Sequence, residues 1–359
     1  MKKITRKQHF VPRCLLKNFS YNDGAINIFD STRNKLRPSN VGAELFENNF
    51  YDKDNTIENF LRDYIEGPGA QALKIITREV DGQLDFEGRV DLLRFILVQL
   101  SRTPNAYSSS LDNIDNYFNE LINQLGQLNG FDKEALDGIK VSFDNPKYFL
   151  QLQTLEAALK VPLLLDLEWH ILINETATEF VISDHPVVHY NWYLRNLHSI
   201  DISGLSKCGL QVFLPISSTI TLCLYDSKIY KMGAKNSSCT IIENLPDIHL
   251  LNELQFRSRG SFIVFRSTDD SNYVKKMSDK FPANSIYSNT VKAIAPTIIG
   301  REAKSKITLW RKSYIFDRWL SFCKVKNKKK SQDITCYDRI PEELAKHEQF
   351  IKEMRSKKE

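Results

Sequence analysis

The chain has 359 residues, 42% hydrophobic and 26% charged, with a formal net charge of +5. That length suffices for one large domain or two, and the composition is that of a globular protein, which excludes disordered and fibrous classes. No window holds the roughly 18 uninterrupted apolar residues of a membrane span, and the basic MKKITRKQHF start has no hydrophobic region behind it, so the chain reads as cytoplasmic and off the membrane.

Residues 12–19 read as one short helix: Pro12 suits the first helical position, and Val11, Leu15, Leu16 and Phe19 recur at helical spacing. AINIFD (25–30) and KLRP (35–38) flank STRN as a hairpin. A helix is expected from Thr56 to Ile65, interrupted at Gly67-Pro68-Gly69 before AQALKIITREV resumes the period. VDLLRFILVQLSR (90–102) is apolar almost all round and reads as a central buried helix. Two longer helical patterns follow, at 108–128 and 146–160. From Trp169 the character changes. WHILIN and EFVISD read as a hairpin around ETAT, and LQVFLPI, STITLCLYD and GSFIVFRS as further strands.

The expected fold class is therefore α+β, a single domain over 1–323 with a helical first half (1–165) and a predominantly antiparallel β-sheet in the second (166–323). Residues 324–359 form a basic tail, with a lysine run and a polar terminal helix, expected to be solvated. This tail carries eleven Lys or Arg against seven Asp or Glu, leaving 38 against 37 for the body. The positive charge is thus local, and it is poor support for a nucleic-acid-binding face on the body. The six cysteines are scattered, without Cys-x-x-Cys, which argues against zinc ribbons and disulfide scaffolds.

His9-Phe10-Val11-Pro12, Leu16, Phe19, Asn49-Phe50-Tyr51, Glu58 and Glu66 occur in order. Arg94, Gln99, Arg102-Thr103-Pro104, Trp169 and Phe180-Val181-Ile182-Ser183-Asp184-His185-Pro186 follow. Over about residues 7–270 this set resembles the bacterial domain-of-unknown-function 4238 family. Its members open on His-(Phe/Tyr)-(Val/Ile)-Pro and carry Ser-Asp-x-Pro after a strand, with His185 at the x position here. The resemblance implies no established reaction, so individual residues carry the functional argument.

His9 either orders the helix entry or acts as a general acid/base, since an imidazole titrates near neutral pH. Glu58, Arg62 and Glu66 are spaced by four, which makes either a surface salt-bridge ladder or an inward Glu66 serving as base or metal ligand. Arg94 and Arg102 share a helix face, with Gln99 beside Arg102. They either pair with Glu58 and Glu66 or clamp a phosphate bidentately. Ser183-Asp184 is either a backbone-capping turn or a carboxylate presented at a strand end. His185 and His189 stand roughly 13 Å apart if extended, too far for one ion. Asp166, Glu168 and His170 alternate as on any half-exposed strand. Arg257 and Arg259, beside Gly260, make either a solvated turn or a phosphate-contacting loop. There is no Walker A loop, dinucleotide fingerprint, His-Glu-x-x-His or Gly-x-Ser-x-Gly.

These residues support two expectations. The first is a nuclease-like, phosphodiester-cleaving enzyme acting on nucleic acid, in the manner of a phage-defence effector. Its catalytic residues are His9, Glu66 and Asp184; Glu66 and Asp184 hold Mg²⁺ or Mn²⁺; and Arg94, Gln99, Arg102, Arg257 and Arg259 bind substrate. The second is a non-catalytic recognition module, in which the same polar set is a buried network and the tail binds a partner.

Overall fold

A computed structural model describes residues 5–78, 84–132, 134, 136, 139, 141, 145–197, 202–299, 302–326 and 334–356. Strand β1 (Lys7–His9) leads into helix α1 (Arg13–Leu16), which narrows to a 3-10 turn at Lys17–Phe19 instead of continuing as one helix. Leu15, Leu16 and Phe19 are all buried, as their spacing requires. β2 (Ala25–Asp30) and β3 (Lys35–Asn40) form the expected hairpin, and β4 (Phe46–Asn48) returns antiparallel to β1, placing Phe46 opposite His9.

Helix α2 (Thr56–Phe60), a π-helical turn (Leu61–Glu66) and α3 (Gly67–Arg78) follow one another without a gap. The interruption expected at Gly67-Pro68-Gly69 does not occur. Pro68 lacks an N–H, and its ring opposes the carbonyl four residues back. The wider π turn relieves this register, with the Gly67 N–H reaching the Arg62 carbonyl five residues back. Gly69 permits contact with the next helix, since a Cβ there would lie 2.6 Å from the Phe95 ring. That helix, α4 (Phe86–Ser101), is capped by Asp85 and buried through Leu92, Leu93, Phe95, Ile96, Leu97 and Val98. α5 (Pro104–Leu128) starts at once under a Thr103 cap, and α6 (Pro146–Ala158), capped by Asn145, packs back on α4.

The second half supplies β5 (Glu168–Asn174), β6 (Ile182–Ser183), β7 (Val188–Tyr190), β8 (Gln211–Pro215), β9 (Ile220–Tyr225), β10 (Tyr230–Met232) and β11 (Cys239–Ile242). Helix α7 (Leu245–Ser258), β12 (Phe262–Phe265), α8 (Ser271–Lys280), β13 (Tyr287–Ile299), β14 (Glu302–Ser313), β15 (Cys323–Val325) and α9 (Pro341–Ser356) complete the order. One sheet has the order β11-β5-β9-β8-β7, antiparallel except for the β11–β5 pair; another has β3-β2-β12-β6. WHILIN and EFVISD are therefore not a hairpin. Both edges of β5 are occupied by β9 and β11, and β6 pairs with β12 in the other sheet. Asn174 ends β5 by accepting from Thr176 N–H and donating to the Thr178 carbonyl, and the chain crosses over.

The result is α+β, and its two halves share one core. Leu15, Leu16, Phe95 and Val98 pack in the same cluster as Val212, Leu222 and Val264. Among the described residues no helix is long and apolar enough to cross a membrane. All six cysteines are free. The expected solvated tail is in part tied down: β15 pairs with β10, and Arg339 is inserted among Leu163, Asp166, Leu205 and Lys207. The lysine run at 328–330 lies outside the described residues.

Candidate acid–base site

The polar residues of the opening segment meet those of α2–α4. Gln8, fully buried, donates to the Asp52 carbonyl and carboxylate and accepts from Tyr51 N–H, which fixes β1 against the turn before α2. Its neighbour His9 is thereby held with its ring 5.4 Å from Phe46. The Tyr51 hydroxyl donates to the His9 carbonyl at 3.3 Å. At the end of α4, Arg102 is 1% exposed, with Nη1 donating to Glu66 at 2.8 Å and Nε donating to Gln99 at 2.9 Å. Gln99 in turn donates to the Phe10 carbonyl. A chain of hydrogen bonds thus links Glu66 through Arg102 and Gln99 to the residue after His9.

Two groups of this cluster have displaced proton affinities. Burial, and then the Arg13 guanidinium, lowers His9 to about 4, against the opposing pull of Glu66 and the Val41 backbone. Burial, and then repulsion from Glu66, raises Glu58 to about 7 despite the nearby Arg102. His9 Nε2 is buried without a hydrogen-bond partner. Burial, with Glu66 next, also pushes the Cys14 thiol up to about 11, which keeps it a thiol. Shifts of this kind are found at acid–base sites and also in buried structural ion-pair networks.

The other sequence-selected residues are placed elsewhere. Arg62 pairs with Asp63 on the surface, so the Glu58–Arg62–Glu66 ladder does not form; the π turn changes which residues share a face. Arg94 pairs with Asp91. Asp184 accepts three backbone N–H bonds, from Gly260, Ser261 and Phe262, at 2.7–3.1 Å. Its burial raises the carboxyl to about 6 against those three donors. Ser183 N–H and Oγ both donate to Gln255, and Ser258 Oγ donates to the His185 carbonyl, so the whole loop is stapled to α7. Arg257 pairs with Glu253 and lies over the Tyr314 ring. Arg259 caps α8 through the Ser278 and Phe281 carbonyls. Asp166 pairs with Arg339, and His170 bonds Thr240. Glu66 and Asp184 thus engage separate partners, and among the described residues no three His, Cys, Asp or Glu side chains gather to hold a metal ion.

His185 and His189 both border a cleft that Ser101 and Asn105 also line, and Thr103 Oγ1 lies 2.6 Å from His185 Nδ1. The sequence assigns no role to Gln8 or Arg13, carries Tyr51 only within the family motif, and offers Glu58 as a ladder residue or a partner for the arginines, not as a raised carboxyl. Arg13 directly follows the His-Phe-Val-Pro segment. The profile of one family, described as protein of unknown function (DUF4238), matches residues 7–277. No curated protein and no solved structure matches the chain.

Proposed function

Because the chain belongs to the DUF4238 family, whose description names no reaction, we propose its activity from its own side chains: acid–base cleavage of a phosphodiester bond in nucleic acid. The observation that carries this reading is the unpartnered, buried Nε2 of His9 in a cluster whose Glu66 and Arg102 act electrostatically both on His9 and on Glu58, a carboxyl raised to about 7. A neutral His9 accepts the proton of the attacking water or hydroxyl as the new P–O bond forms. Protonated Glu58 gives its proton to the departing oxygen as the old P–O bond breaks. Arg102 holds Glu66 and is itself enclosed, so the cation offered to the phosphate is Arg13, exposed and within electrostatic reach of His9. If Mg²⁺ or Mn²⁺ assists, Glu66 would supply its carboxylate without Asp184, whose oxygens are taken up by backbone N–H groups. A role in phage defence would suit such an activity in a bacterial protein.

The test is a cleavage panel on single- and double-stranded DNA and RNA, with EDTA, Mg²⁺ or Mn²⁺, comparing wild type with His9→Gln and Glu58→Gln. Each variant is expected to lose on the order of 10²-fold or more in rate, the usual contribution of one acid or base. Equal cleavage by wild type and both variants would sink the proposal. A non-catalytic module is the second reading, favoured by the enclosure of Arg102 and Gln99 in a continuous buried network. It is supported instead if no substrate is cut and the wild type still retains nucleic acid.

A further inference from the structure

The cleft beyond Thr103 encloses about 680 Å³ between α5, α6, the His185–His189 segment and the base of the β13–β14 hairpin. That volume lies within the usual range for small-molecule sites. Three cationic side chains line it, Lys160, Arg257 and Arg311; Arg257 is paired with Glu253, which leaves Lys160 and Arg311 against the single lining carboxylate of Glu156. The surplus favours an anionic occupant.

Arg311 is the informative cation. Its Nε donates to Asn289 Oδ1 at 3.0 Å and its Nη1 to Ser203 Oγ at 3.1 Å, both neutral groups. Among the described residues no carboxylate forms an ion pair with it. A guanidinium oriented in this way is prepared for a phosphate oxygen. Two acceptors on lining residues are also unmet: Asn105 Oδ1 and Gln153 Oε1 are buried without donors. Their amide nitrogens are anchored to the carbonyls of Ser258 and Ser101, which fixes each amide and leaves its oxygen waiting for an N–H. Leu97, Leu100, Ile114 and Phe149 supply apolar lining suited to a flat ring.

We propose that this cleft binds a nucleoside monophosphate with an amino-bearing base, its phosphate on Arg311 and its amino group on Asn105 and Gln153. The site is separate from the His9 cluster and does not depend on the reaction assigned there.

Calorimetric titration of the full chain with AMP, CMP, GMP, adenosine and inorganic phosphate tests it, with thermal unfolding of each variant as the folding control. At least one nucleotide is expected to bind at least tenfold more tightly than adenosine or phosphate alone. Arg311→Gln should weaken that binding at least tenfold. Ser109→Tyr, which changes an exposed lining residue of α5 and leaves the core alone, should abolish it by filling the cleft. His9→Gln should leave it unchanged, which separates this site from the proposed catalysis. The inference is overturned if none of the three nucleotides binds at millimolar concentration, or if binding survives either cleft substitution in a folded variant. Phosphate binding as tight as nucleotide binding overturns the nucleoside assignment in favour of a bare oxyanion site.

Discussion

At the scale of single residues, burial sets the proton chemistry. His9 at about 4 and Glu58 at about 7 bracket a window in which the base is neutral and the acid still holds its proton. Cleavage is therefore expected to rise as pH passes about 4 and to fall as it passes about 7, with Glu58→Gln removing the alkaline fall from any residual rate. A rate that is flat from pH 4 to 8 would contradict these roles. His170, bonded to Thr240 and lowered to about 4 by burial alone, gives a stability counterpart. Its unfolded ring titrates near 6.5, so unfolding takes up a proton between these values. The stabilisation present above pH 6.5 is lost as pH falls towards 4. Chemical denaturation at pH 7 and 4.5 should show wild type losing more stability than His170→Gln.

At the scale of elements, the helix–π–helix segment decides where Glu58 and Glu66 point. An uninterrupted α-helix would align Glu58, Arg62 and Glu66 on one face; the π turn sends Arg62 outward to Asp63 and leaves Glu66 to Arg102. The close α3–α4 approach that supports this arrangement depends on Gly69. Gly69→Ala is expected to cost about 1–3 kcal/mol from overpacking against Phe95, read from the urea midpoint at constant m. The Ser183–Pro186 loop behaves as a fastener between β6, α7 and β12. Asp184→Asn should destabilise by about 1–3 kcal/mol, because an amide oxygen meets only part of a site built from three N–H donors. Cleavage per folded molecule should change far less in this variant than in His9→Gln.

At the scale of the molecule, the described residues 334–339 belong to the body. Arg339 has a fully buried guanidinium that bonds both oxygens of Asp166 and the carbonyls of Leu163, Leu205 and Lys207. Lys207 pairs with Asp338, and Cys208 N–H donates to the Tyr337 carbonyl. The chain thereby closes the end of the first half (161–167) against the loop before β8. Arg339→Ala is expected to cost about 3 kcal/mol, as for removal of one member of a buried ion pair, measured by denaturant unfolding. An unchanged midpoint would mean that this latch contributes nothing.

The sequence by itself determined the periodic elements and the candidate groups. Apolar spacing placed α4, α5, α6, the β2–β3 hairpin and the strands β8, β9 and β12 to within a few residues, because local burial patterns are written along the chain. It also singled out Glu66, Gln99 and Arg102, which do meet, and His9, which lies within electrostatic reach of Glu66 and Arg102. Only the tertiary structure decided the rest. Continuity through Pro68 depends on a π turn that no periodicity announces, and the partner of β5 was settled by competition among strands for its two edges. Whether Asp184 faces solvent or three backbone N–H groups was fixed by a loop some 76 residues away. Hydrogen-bond partners and burial are properties of the assembled fold, and they alone distinguish a structural carboxylate from a reactive one.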